Sequence, residues 1–127
     1  MSKKIIKTSK APQPIGPYNQ AVVSNNLVFT AAQIAMDPLT NEICQGGIAE
    51  QTRMVLTNLK GVLEEAGSSL PKVLKVTVFL KNMNDFPAMN KVYGEFFESA
   101  TAPARSTVEV ARLPKDVLVE IEAVACL

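Results

Sequence analysis

The chain contains no histidine. That absence removes the usual Ser-His and Cys-His pairs, in which an imidazole takes the nucleophile's proton, and nearly every zinc site. Cysteine is scarce as well. Cys44 and Cys126 stand apart with no CxxC spacing, too few to complete a tetrahedral zinc shell, and they read as free thiols of a reducing compartment. Neither GxGxxG nor GxxxxGKS/T occurs, so the flavin, nicotinamide and P-loop fingerprints are missing. No apolar run approaches the ~20 residues that a bilayer-crossing helix needs, and no signal-like apolar region follows the start. A net charge of +1 gives no electrostatic case for nucleic acid or for a membrane surface. An enzyme built from these residues works without a metal or a bound cofactor.

What is present suffices for one core. The length of 127 residues, 47% apolar and 20% charged, predicts a single domain over 1–127 that is globular rather than disordered. The only charge asymmetry is at the start, where Lys3, Lys4, Lys7 and Lys10 precede the first acid, Asp37. A solvated first strand fits that stretch better than a targeting leader, which would also carry arginine. The expected compartment is the cytoplasm, or the mitochondrial matrix if a leader has been removed.

Residues 11–19, APQPIGPYN, form a proline-constrained loop that loses little freedom on ordering and suits a pocket wall, with Tyr18 at its end. Two short strands, 20–23 and 27–34, flank Ser24-Asn25-Asn26, and asparagine tolerates the positive φ of a tight hairpin. Asp37-Pro38 and Gly46-Gly47 bracket a loop holding Cys44. A helix over 48–66 follows from Thr52, Val55, Leu56, Leu59, Val62, Leu63 and Ala66 at helical spacing, with Asn58 outside the stripe and Gly67 as the stop. Val73–Lys81 reads as a buried strand. A second helix starts at Asp85 with Pro87 in its first turn and the stripe Phe86, Met89, Tyr93, Phe96, Phe97 and Ala100. Asn90 lies on that stripe and needs a partner, whether as a core amide or as a pocket residue.

The stretch Pro103–Ala125, PARSTVEVARLPKDVLVEIEAVA, holds the best candidates for chemistry. It reads as two strands joined at the turn signal Leu113-Pro-Lys-Asp. In the second strand Val117, Val119, Ile121 and Ala123 share one face, and Leu118, Glu120, Glu122 and Val124 the other. Arg105 begins the first strand, in parity with Thr107 and Glu109. The hairpin is thus an anion clamp opposite an acid/base, with Glu109, Glu120 and Glu122 all eligible. Strand-like and helical segments in the order β-ββ-α-β-α-ββ predict an α+β fold, a mixed sheet with both helices on one face. The other face is moderately apolar, which predicts burial against a second copy of the chain.

The segments IGPYNQAV (15–22), FTAAQIAMDP (29–38), EQTRMVLTNLKGVLEEAGSS (50–69), VLKVTVFLKNMNDFPAMNKVYGEFF (73–97) and PARSTVEVARLPKDVLVEIEA (103–123) resemble the Rid/YjgF family of reactive intermediate deaminases over nearly the whole chain. The resemblance implies a chorismate-mutase-like fold and a homotrimer whose sheets form a central barrel, with active sites in the clefts between subunits. It implies hydrolysis of 2-imino acids and their enamine tautomers, such as 2-aminoacrylate and 2-iminobutanoate, to 2-keto acids and ammonia. It also implies carboxylate binding by Arg105, water handling by Glu120, and Tyr18, Asn90, Thr30, Ala31 and Thr107 around the substrate. The chain departs from the family pattern at Ala31, Ala32 and Thr107, where serine, glycine and cysteine are common, and those departures bear on substrate range.

The chemistry is coherent on its own terms. Arginine gives a carboxylate a planar two-pronged grip that lysine does not. An iminium carbon is already electrophilic, so a carboxylate that positions water and moves a proton suffices without histidine. Two rival readings are an RNA-acting translation inhibitor or endoribonuclease, and a non-catalytic regulator or chaperone that binds a keto acid. The charge balance argues against the first, and Ala31 leaves room for the second.

Overall fold

The computed structural model describes residues 2–127. Strands β1 (Lys4–Ile6), β2 (Ala21–Ser24) and β3 (Leu27–Thr30) lead into helix α1 (Ile48–Glu65). Strand β4 (Val73–Leu80), helix α2 (Phe86–Phe96), β5 (Ala104–Glu109) and β6 (Val119–Cys126) follow. The six strands make one sheet in the order β1-β2-β3-β6-β4-β5. Among the described residues only β4 and β5 run parallel, joined by α2 as the crossover; every other neighbouring pair is antiparallel. The expected α+β order, with two helices on a mixed sheet, is what the chain adopts.

Local chemistry explains the element boundaries. Asn25 and Asn26 take φ values of 50° and 62° and close the β2–β3 hairpin with Ser24 opposite Leu27, a mirror-image turn that few other residues tolerate. Helix α1 begins where the Glu50 carboxylate accepts from Gly47 N at 2.8 Å, a bond that holds this carboxyl below its ordinary range. It ends at Gly67, φ 89°, where Gly67 N donates to Glu64 O at 3.1 Å and Ser68 N to Leu63 O at 2.9 Å. Those two bonds satisfy carbonyls that the last turn leaves free.

The core lies between the helices and one sheet face. Val55, Leu56, Leu59, Val62 and Leu63 of α1 meet Val76, Val78, Leu80, Val119 and Ile121 with no side chain reaching water. Each such burial is worth roughly 1.5–3 kcal/mol. Asn58, expected outside the α1 stripe, is buried instead, because its amide donates to Met36 O at 2.9 Å and Ile34 O at 3.3 Å. On α2, Val92 joins Met89 and Tyr93 inside, whereas Ala100 lies beyond the helix end and is exposed. The first lysines lie in or beside β1, which pairs with β2 and buries Ile6.

Three further expectations change. Strand β3 stops at Thr30 rather than Ile34: Ala31 N turns to Gln20 O at 2.9 Å, and pairing resumes only at the single bridge Gln33–Ile121. The stretch 103–125 does form two strands with a turn at Pro114–Asp116, but they are not a hairpin. Both pair with β4, β5 in parallel and β6 antiparallel, and β6 fills the slot between β3 and β4. A turn signal marks where a chain reverses, not which edge it then joins. Finally, the proline-rich loop owes its shape to Gln20 as much as to its prolines. This buried amide accepts from Thr8 N at 2.7 Å and donates to Thr8 O, Ala11 O and Pro12 O at 3.0, 3.1 and 2.9 Å.

Gln20→Leu strips partners from several of these backbone groups at once. We expect a loss of about 2–4 kcal/mol in unfolding free energy, read from the urea midpoint, because buried polar groups left unpaired carry their full desolvation cost.

Candidate active site

Strand register decides which candidate residues can meet. Arg105 pairs with Val76 and Thr107 with Val78, so both lie on the sheet face that carries the helices. Glu120 pairs with Phe79 and Glu122 with Thr77, one step out of phase along the same β4. Alternate residues of a strand project to opposite faces. Within one chain, then, Arg105 and Glu120 lie on opposite sides of the sheet. The clamp facing its acid/base across a single hairpin, as the sequence suggested, does not form. Glu109 does share the face of Arg105, but its carboxylate accepts from Met83 N at 2.8 Å.

The Arg105 side is prepared by α2. Phe86, Asn90 and Tyr93 recur at i, i+4 and i+7 and therefore share a helix face. Arg105 Nη1 donates to Asn90 Oδ1 at 2.8 Å. The guanidinium carbon lies over two rings, 4.5 Å from the Tyr93 centroid and 5.4 Å from that of Phe86. Asn90 is an exposed surface amide rather than a core one. A cavity of about 400 Å3 opens beside the guanidinium, bounded by Asn90, Tyr93, Phe97, Ser99 and Pro103. Thr107 is half-buried on the same face, and its hydroxyl has no hydrogen-bond partner among the described residues. Nor has that of Tyr93, whose phenol burial holds above its ordinary range while Arg105 pulls it down.

On the other side Glu120 and Tyr18 line one cavity of about 380 Å3, with Ala32, Ile34, Pro114 and Lys115 as further walls. Half-burial, and to a lesser degree the neighbouring Glu122 carboxylate, raise the Glu120 carboxyl above its ordinary range. Tyr18 is 51% exposed, and its hydroxyl accepts from Ile15 N at 3.3 Å. Lys115, at φ 54°, forms part of this cavity's wall, and the next residue, Asp116, shares that φ; Arg112 Nε donates to Asp116 Oδ1 at 2.8 Å. Leu118 N, just beyond Asp116, donates to Gln51 Oε1 at 2.9 Å. The remaining candidates play quieter parts. Thr30 Oγ1 accepts from Ala123 N at 3.0 Å, and it is Ala32, rather than Ala31, that reaches the cavity wall. The structure thus joins Arg105 to Asn90 by a hydrogen bond and sets Tyr18 and Glu120 on one cavity, as two separate clusters.

The profile of the family described as Endoribonuclease L-PSP matches residues 8–127. A RutC family protein of Synechocystis is 60% identical over 128 residues, covering 100% of this chain and 98% of the relative. The chain belongs to the Rid/YjgF family. A second Rid relative, named 2-iminobutanoate/2-iminopropanoate deaminase, from Dermatophagoides farinae, is 50% identical over 125 residues, with 98% of this chain and 97% of the relative covered. The crystal structure of Escherichia coli TdcF with bound serine superposes with a TM-score of 0.92 at 47% identity, covering 98% of each chain.

Sequence reasoning assigned Phe86 and Tyr93 to the core and passed over Lys115. The signal for the first two was their spacing from Asn90 on one helix face. For Lys115 no local pattern announces its positive φ.

The Glu120 carboxyl is expected to titrate above an ordinary glutamate when followed by carboxyl-carbon NMR. Glu122→Gln is expected to lower that midpoint without normalising it, since burial is the larger cause.

Proposed function

We propose that the chain hydrolyses 2-imino acids and their enamine tautomers, such as 2-aminoacrylate and 2-iminobutanoate, to 2-keto acids and ammonia. The active unit is a homotrimer in the cytoplasm, in which the Arg105 half-site of one copy meets the Glu120 half-site of the next. One observation carries this reading: the two groups suited to the chemistry lie on opposite faces of one sheet, each beside an open cavity. The names of the mite deaminase and of other relatives called reactive intermediate deaminases support the reaction class.

In the proposed cleft Arg105 grips the substrate carboxylate and turns the C=N carbon toward Glu120. The substrate reacts as the protonated imine: the ionised Glu120 carboxylate accepts a proton from water as the water oxygen bonds to that carbon, and the C=N π electrons neutralise the nitrogen. Glu120 then returns the proton to the amine nitrogen of the tetrahedral adduct. The C–N bond breaks, ammonia leaves, and the adduct hydroxyl passes its proton to the again-ionised Glu120 as the ketone forms; Glu120 then gives that proton to solvent or to the departing ammonia. A carboxyl raised toward neutrality serves both directions of transfer better than an ordinary one. Tyr18, at the Glu120 cavity, bounds the substrate on the other side. The reading of an RNA-acting protein draws on the family description and on nothing in the charge distribution, at a net charge of +1.

The test supplies imine from threonine dehydratase in the presence of an amine trap and follows 2-ketobutyrate release. Arg105→Ala is expected to lose on the order of 100-fold in kcat/KM, as does truncation of one member of a hydrogen-bonded charge pair. Arg105→Lys is expected to recover little of it. Because Glu120 must be ionised and its pKa is raised, activity is expected to fall with decreasing pH sooner than an ordinary glutamate would dictate. Equal rates for wild type and Arg105→Ala overturn the proposal. Tight 2-ketobutyrate binding without turnover points instead to a keto-acid-binding regulator.

A further inference from the structure

We infer that Phe86 and Tyr93 are positioning residues for Arg105: their ring faces fix the plane of the guanidinium and so present its Nε–Nη2 edge to the substrate carboxylate. This rests on the proposal that Arg105 binds that carboxylate. Three observations lead to it. Arg105 makes one hydrogen bond among the described residues, from Nη1 to Asn90, and a single bond at one corner leaves a planar group free to swing about it. The two rings lie beneath the guanidinium carbon at 4.5 and 5.4 Å, within the range in which a cation is drawn to a ring face. With Nη1 turned to Asn90 and the plane set by the rings, the edge formed by Nε and Nη2 remains, and it matches the spacing of two carboxylate oxygens.

The rings, not the phenol oxygen, carry this role. Tyr93 is 6% exposed, and it is its ring face that lies 4.5 Å from the guanidinium carbon, with no hydrogen bond from Arg105 to its hydroxyl among the described residues. The ring itself is braced by Phe97, with centroids 4.7 Å apart and planes inclined by 32°. Tyr93 is thus a fixed surface rather than a mobile cover. Phe86, half-buried at the start of α2, adds the second ring face. Fixing the plane before the ligand arrives spares the ordering cost that a free arginine side chain incurs on binding.

The experiment measures 2-ketobutyrate dissociation constants by calorimetry, and kcat and KM in the dehydratase-coupled assay, for wild type, Phe86→Leu, Phe86→Tyr, Tyr93→Phe and Arg105→Ala. Phe86→Leu keeps the bulk and removes the ring. We expect it to raise both the dissociation constant and KM by roughly 3- to 10-fold, with kcat within about twofold, the scale of one partly exposed cation–π contact. Phe86→Tyr restores wild-type values, and Tyr93→Phe stays within about twofold of them. An unchanged dissociation constant in Phe86→Leu overturns the inference, as does a fall in kcat with KM constant. A loss in Tyr93→Phe as large as in Phe86→Leu also overturns it, because the hydroxyl would then be the working group. The two levels separate cleanly. If wild type binds 2-ketobutyrate through Arg105 but releases no ammonia from imine, the proposed reaction fails while the dissociation constants still decide the positioning role. If Arg105→Ala binds as wild type does, both fall.

Discussion

Strand β4 is paired on both sides, β5 in parallel along one edge and β6 antiparallel along the other, and that double pairing governs which side chains can meet. From Val76 to Leu80 the register carries no slip; the one irregularity lies earlier, between Val73 and Lys75. Because side chains alternate across a strand, a register without slips commits Arg105 and Thr107 to the helix face and Glu120 and Glu122 to the other. A slip by one residue would drive Val119, Ile121 and Ala123 out of the core and charged Glu120 and Glu122 into it. The core therefore enforces the separation of Arg105 from Glu120. Val76, Val78, Leu80, Val119 and Ile121 are all fully buried, so the arrangement rests on many kcal/mol of burial rather than on any contact at the site.

Each of the two proposed half-sites is held by groups outside it. The Gln20 amide gathers the backbone of Thr8, Ala11 and Pro12 and so sets the loop that delivers Tyr18. The turn bearing Lys115 is tied down by Gln51 at Leu118 N and by the exposed Arg112–Asp116 pair. Of these two ties the first matters more, since an exposed ion pair contributes ~0–1 kcal/mol. On the far side, α2 supplies rings and an amide to one arginine. The sheet face bearing Glu120 also carries Phe29 at 43% exposure and Val108 at 42%. Apolar side chains beside half-buried carboxylates are unusual for a face meant for water, and they support the proposed packing of copies against one another.

Much of this was legible in the residues. The stripes of α1 and α2, the Gly67 stop, the Asn25-Asn26 turn and the alternation of VEIEA depend on local spacing, which a sequence displays directly. The placement of β6 between β3 and β4 depends on a non-local choice of edge, and it turned an expected hairpin into two strands flanking a third. Polar residues were the other blind spot. Gln20 and Thr30 read as strand positions and Asn58 as lying outside the α1 stripe, yet each binds backbone groups outside its own element. Asn90 was correctly seen to need a partner, but only the fold shows that the partner is Arg105.

If neighbouring copies complete one another's sites, two inactive variants restore activity when assembled together. Arg105→Ala and Glu120→Gln chains carrying different tags are co-expressed and purified through both tags, so that only mixed oligomers remain. In a mixed ring of three, one cleft joins a native Arg105 to a native Glu120, and the expected activity is about one third of wild type. Mixed oligomers no more active than either variant by itself would contradict a shared site.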